Sequence, residues 1–122
     1  GPQAHVGRKA AMQRPWRGNG ALTAADHALG DMPWAISAPS ALPVDDHWLM
    51  PTEMSHADIK TLTDAFVAAA RRADALGCEF IEIHGAHGYL IQTFLSPLSN
   101  MRTDAYGGDL NGRMRIALEV TE

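Results

Sequence analysis

Leu76-Gly77-Cys78-Glu79-Phe80-Ile81-Glu82-Ile83-His84 is the stretch on which the fold turns. Before it, Ser55-x-x-Asp58 has the form of a capping box, with Asp where Glu is usual. Ile59, Leu62, Phe66, Ala70 and Ala73 then recur at steps of three and four, which is one apolar face of a helix. Arg71, Arg72 and Asp74 fall mostly on the other face, and Gly77 stands where a helix-ending glycine belongs. The spacing predicts a helix over Ser55–Leu76. Cys78–His84 is short and β-rich and follows after a single glycine, so it reads as a buried strand. Alternation places Phe80, Glu82 and His84 on one face and Ile81 and Ile83 on the other.

Outward from this pair the pattern stays alternating. Leu90–Leu95 reads as a short helix ended by Ser96-Pro97, and Asn100–Gly108 as a turn-rich loop. A last helix is expected over Leu110–Val120, with Met114, Ala117, Leu118 and Thr121 on one side. Upstream, Gly1–Glu53 holds six of the seven prolines and is rich in glycine. Proline removes backbone donors and glycine loosens the chain, so this part reads as long loop with a short strand or two. A loop of this length is uncommon in a compact domain unless it is functional. Trp16, Trp34 and Trp48 sit inside it and are expected to anchor it by burial.

The order loop, helix, strand, loop, helix argues for α/β architecture with a parallel sheet. In a parallel barrel Ile81 and Ile83 would pack on helices. Phe80, Glu82 and His84 would point inward, with His84 near the C-terminal end of its strand, where such barrels build their active sites. One strand closes no barrel, and a full (β/α)8 barrel takes about 250 residues. The 122 residues supply roughly a quarter of the eight units. The expected fold is therefore a fragment of a (β/α)8 TIM barrel: one partial domain over 1–122, with 1–54 a long loop region and 55–122 helix, strand, loop and helix.

Composition bounds the partners. Hydrophobic residues make up 46% of the chain, which permits a core, and the net charge is −4. That balance argues against nucleic acid or an anionic membrane, which call for clustered Lys and Arg. The basic cluster Arg8-Lys9 with Arg14 and Arg17 is broken by Pro15 and reads as a solvated loop. Cys78 is the only cysteine, so no internal disulfide forms; with six methionines this fits a reducing, cytoplasmic setting. No apolar run approaches the about 20 residues of a membrane span, and no secretory leader is expected from the polar first residues. Gly1-Pro2 has the look of a remnant left by a processing protease.

His84, His87 and Tyr89 are the candidates for chemistry. Gly85, Ala86 and Gly88 between them let the backbone turn sharply and a flat ring come close. Two neutral imidazole N–H groups can donate to one carbonyl or nitro oxygen and stabilise charge that builds there. A phenol nearby can serve as general acid. Alternatives stand beside this. The histidines can be structural. Glu82, His84 and His87, with His5 or Cys78 as a fourth ligand, can form a small metal site, although the spacing is not that of the helical zinc-protease motif. Cys78 lies at the far end of the strand from His84, so a Cys–His nucleophile pair is not expected.

His5-Val-Gly7-Arg8-Lys9-Ala10, Ala38-Pro39-Ser40-Ala41, Glu82-Ile-His84-Gly-Ala-His87-Gly-Tyr89-Leu90, Phe94-Leu-Ser-Pro-x-Ser-Asn100-x-Arg102-Thr-Asp104-x-Tyr106-Gly-Gly108 and Arg113-x-Arg115 occur in this order. Together they resemble the old yellow enzyme family, in its bacterial, xenobiotic-reductase-like branch, from the end of the third barrel strand to the fourth helix. The resemblance implies a TIM barrel with FMN at its C-terminal mouth, reduced by NAD(P)H and passing hydride to an α,β-unsaturated carbonyl or nitro compound. It assigns the substrate-oxygen clamp to His84 and His87, and proton donation to Tyr89, making these three both substrate-binding and catalytic. It implies that Arg102 and Asp104 pair to hold their loop. The family's flavin-contacting Gln falls on Pro2, one position from Gln3, so no cofactor-binding residue is assigned in this chain, and no metal ligand. Asn111-Gly112 replaces a Glu-Asn common in the family and should weaken the last helix slightly. The chain alone is expected to be inactive, and to form a homo-oligomer or associate with other barrel parts. A non-catalytic, self-assembling barrel fragment is the alternative from a different class.

Overall fold

The computed structural model describes residues 2–122; Gly1, on which the reading of a processing remnant rests, lies outside the described residues. Strand β1 (Pro2–Gln3) is followed by a 3₁₀ turn at Gly7–Lys9 and a second at Pro15–Arg17. Helix α1 (Ala24–Ala28), β2 (Ser37–Ala38) and β3 (Thr52–Glu53) lie within the long irregular part. Then come α2 (His56–Ala75), β4 (Glu82–Ile83), α3 (Leu90–Leu95) and α4 (Leu110–Thr121). β1 pairs in parallel with β4, Pro2 opposite Glu82 and Gln3 opposite Ile83. Parallel neighbours need a crossover, and α2 supplies it, so β1, α2 and β4 form a β–α–β unit. β2 and β3 make a separate parallel pair.

The caps of α2 follow from its sequence. The Ser55 hydroxyl accepts from the Asp58 amide at 3.1 Å, and the Asp58 carboxylate accepts from Ser55 N–H at 2.8 Å. Gly77, just past the C-terminus, takes φ +78, which a side chain would resist. Ile59, Leu62 and Phe66 are buried as the spacing requires. With Met54, Leu90, Ile91, Phe94 and Ile116 they form one core, against which Ile83, Tyr106, Ala117 and Val120 pack. Each fully buried side chain of this size contributes about 1.5–3 kcal/mol.

Four expectations need correction. The strand spans Glu82–Ile83 rather than Cys78–His84; these two residues are the ones that pair with β1. Phe80 is accordingly exposed. In α4 the buried residues are Gly112 and Ile116, while Leu118 lies half in solvent; only Ala117 of the expected face packs on the core. Trp16 and Trp34 are 77% and 62% exposed, so neither anchors the loop by burial.

The loop is held instead by polar contacts. Arg8 donates to the carbonyls of Leu42 and Pro43, Arg14 pairs with Asp31, and Lys9 reaches the carbonyl of His87, so three of the four basic residues read as solvated are engaged within the chain. α1 went unread in the sequence although Thr23 and Asp26 form a capping box. Asp26 also accepts from Gln13 at 2.8 Å, and the hydrogen bonds from Gln13 and Thr23 hold its carboxyl down at about 2. Among the described residues no helix is long and apolar enough to cross a membrane.

Candidate active site

His84 follows directly on β4. Its N–H donates to the Gln3 carbonyl at 2.9 Å, extending the β1–β4 pairing by one bond. The chain then turns through Gly85-Ala86-His87-Gly88, where His87 takes φ +57 and Gly88 φ +71, both in the left-handed region. Glycine adopts that region freely, whereas for histidine it is uncommon. Tyr89 N–H closes the turn on Ala86 O at 3.1 Å, and Leu90 N–H crosses to His5 O at 2.9 Å. Tyr89 is the residue before the first turn of α3.

The turn brings three rings together. The centroids of His84 and His87 lie 5.0 Å apart, those of His84 and Tyr89 4.7 Å, and those of His87 and Tyr89 6.4 Å. His84 and Tyr89 are half-buried and His87 is exposed. The hydrogen-bond chain assigns the tautomers. Ala86 N–H donates to His84 Nδ1 at 3.2 Å, so neutral His84 carries its proton on Nε2. That nitrogen lies 3.1 Å from His87 Nδ1 and donates to it, which leaves the His87 proton on Nε2. Sequence leads one to expect two N–H groups free to meet one oxygen; in the structure the His84 N–H is engaged by the His87 ring. An entering oxygen therefore competes with His87 Nδ1 for the His84 proton.

The alternative ligand set does not gather: among the described residues no three His, Cys, Asp or Glu side chains are placed to hold a metal ion. Cys78 is exposed. Gln3, the register partner of Ile83, lines an apolar cleft of about 340 Å³ with Ala4, His5 and, from α2, Leu62, Ala65 and Phe66. Arg8, Lys9 and Arg102 are bound to groups of the chain itself. With these cations taken up inside the chain, these residues do not fit an FMN phosphate group.

Asn100–Gly108 is a structural clasp. Arg102 is buried and holds Asp104 with two N–H groups while donating to Pro39 O at 3.0 Å and Met54 O at 2.6 Å. The Arg102 guanidinium pulls the Asp104 carboxyl far below the usual carboxylate range. Asn100 donates to Phe94 O and Tyr106 O, and Ser40 Oγ accepts from Met101 N–H, which seats the Ala38-Pro39-Ser40 motif on the clasp.

Two parallel strands joined through a helix, with polar side chains clustered just past the C-terminal end of the second, are the arrangement of a segment of a (β/α)8 barrel. The chain belongs to the NADH:flavin oxidoreductase / NADH oxidase family, the old yellow enzyme family, whose model matches residues 5–122. It is 45% identical to an NADPH dehydrogenase of Bacillus licheniformis over 123 aligned positions, 98% of this chain and 36% of the relative. It is 43% identical to an NADH:flavin oxidoreductase of Gibberella zeae, over 98% of this chain and 29% of the relative. Among solved structures it is similar to morphinone reductase (TM-score 0.69, 29% identity, 72% of this chain and 28% of that one). It is also similar to histamine dehydrogenase from Rhizobium sp. 4-9 (TM-score 0.74, 33% identity, 98% of this chain and 16% of that one). The chain spans about a third of the length of the curated relatives it matches.

Proposed function

We infer that this chain supplies the substrate-oxygen clamp of an FMN-dependent NAD(P)H oxidoreductase that reduces activated C=C bonds of α,β-unsaturated carbonyl or nitro compounds. The observation that carries this reading is the convergence of His84, His87 and Tyr89 at the end of β4. FMN, when bound in a complete barrel, would supply the hydride. This chain's own residues orient the acceptor and manage the proton. The imidazole N–H groups of His84 and His87 donate to the carbonyl or nitro oxygen, where negative charge develops. The Tyr89 hydroxyl donates a proton to the carbon α to that group. The chain alone, lacking a cradle for the cofactor, is inactive.

The test uses a complete barrel in which this chain is joined to the remaining strands of a relative. His84→Ala and His87→Ala are each expected to weaken binding of a simple phenol about tenfold, the loss of one hydrogen bond to a charged oxygen. Unchanged affinity in both variants contradicts the clamp.

A further inference from the structure

We propose that Lys9 is a positioning residue of the His84–Tyr89 site, fixing the His87 ring by holding the main chain beneath it; this rests on the clamp reading above. Lys9 ends the 3₁₀ turn Gly7–Lys9 that follows β1, far from His87 in sequence. Its Nζ nevertheless donates to the His87 carbonyl at 2.7 Å. The bond falls on a residue held in the left-handed region: His87 is non-glycine at φ +57. Such a conformation persists only where surrounding contacts over-determine it. A charge-assisted hydrogen bond to that carbonyl is such a contact.

The neighbouring glycines leave room for the arrangement. A Cβ on Gly88 would lie 3.0 Å from Lys9 Cε and 3.1 Å from Nζ, pressing on the side chain that makes the bond. A Cβ on Gly7 would lie 3.0 Å from Leu90 Cα, so the 3₁₀ turn and the start of α3 touch backbone to backbone. The Leu90 N–H to His5 O bond is a second tie between the same two segments. Lys9 thus completes a brace from the end of β1 to the histidine turn. Its hydrogen bond goes to the main chain rather than to the imidazoles or the phenol, so it acts on the His87 ring through the peptide bond.

Lys9→Met keeps the stem and removes the donor. In the complete, flavin-loaded barrel we expect it to weaken phenol binding about fivefold and to move the His87 imidazole 15N resonances. Lys9→Arg should restore most of the affinity, because a guanidinium can donate to the same carbonyl. Phenol affinity and His87 resonances both unchanged in Lys9→Met overturn the proposal. So does an Arg variant as weak as the Met variant at unchanged melting temperature. If Lys9→Met does not fold, Lys9→Leu, which also lacks a donor, takes its place with the same criteria. His84→Ala run alongside separates the two claims. If it weakens phenol binding while Lys9→Met does not, the brace fails and the clamp stands; if it has no effect, the clamp fails and takes the brace with it.

Discussion

At the scale of single residues, the rings of His84 and Tyr89 lie 4.7 Å apart, and the different work proposed for them separates in experiment. Removing the Tyr89 hydroxyl takes away a proton donor without removing an imidazole N–H. In a complete barrel, Tyr89→Phe is expected to lower enone turnover about a hundredfold with phenol affinity nearly unchanged; equal losses in both would assign Tyr89 to binding. Asp26 makes a residue-scale prediction about pH. Its carboxyl falls from an ordinary value of 3.8 to about 2 through hydrogen bonds from Gln13 and Thr23. A depressed folded-state value stabilises above the unfolded value and is lost as pH falls through the folded one. The stability gap between the unaltered protein and Asp26→Asn should therefore be full near neutrality and close between about pH 4 and pH 2. Urea midpoints measured across that range check it, and a gap independent of pH would contradict it.

At the scale of elements, helices with a strong apolar period and caps could be read from the sequence. Ser55, Asp58 and Gly77 bound α2 within a residue, and α3 runs over Leu90–Leu95 as read. The length of β4 could not be read, because a strand's extent is set by its pairing with residues far away in sequence, here Pro2 and Gln3. The orientation of α4 was hidden for a similar reason. Its apolar residues lie on more than one side, and the side that packs is chosen by the glycine-rich loop before it. Gly112 shows this. By propensity alone Gly112→Ala should gain about 1 kcal/mol in a helix. In the structure a Cβ there would collide with the Gly107 carbonyl oxygen, and one on Gly107 would collide with the backbone of Arg102. We expect Gly112→Ala to lose about 1–3 kcal/mol instead, read as a lower urea midpoint at unchanged slope; a higher midpoint would contradict the packing account. The role of Lys9 left no local signal, since its partner is a main-chain carbonyl 78 residues away.

At the scale of the whole molecule, the chain is one β–α–β unit with its side elements, and its strands have open edges. The cleft beside β1 is lined by Leu62, Ala65, Phe66 and Ala69, and Phe80 and Leu76 are also exposed. Unpaired strand edges and bare apolar surface favour association. The isolated chain should therefore run larger than its 13.2 kDa in sedimentation, and should retain no yellow FMN complex after desalting. A stable, well-folded monomer would oppose the first expectation, and retained stoichiometric flavin the second. The proposed clamp stands or falls on the position of one oxygen atom, which a crystal structure of a complete barrel carrying this chain, bound to a phenol, would locate. The phenol oxygen is expected about 3 Å from a ring nitrogen of both His84 and His87, with their mutual hydrogen bond broken. A phenol bound with that oxygen away from both rings, and the His84–His87 bond intact, would contradict it.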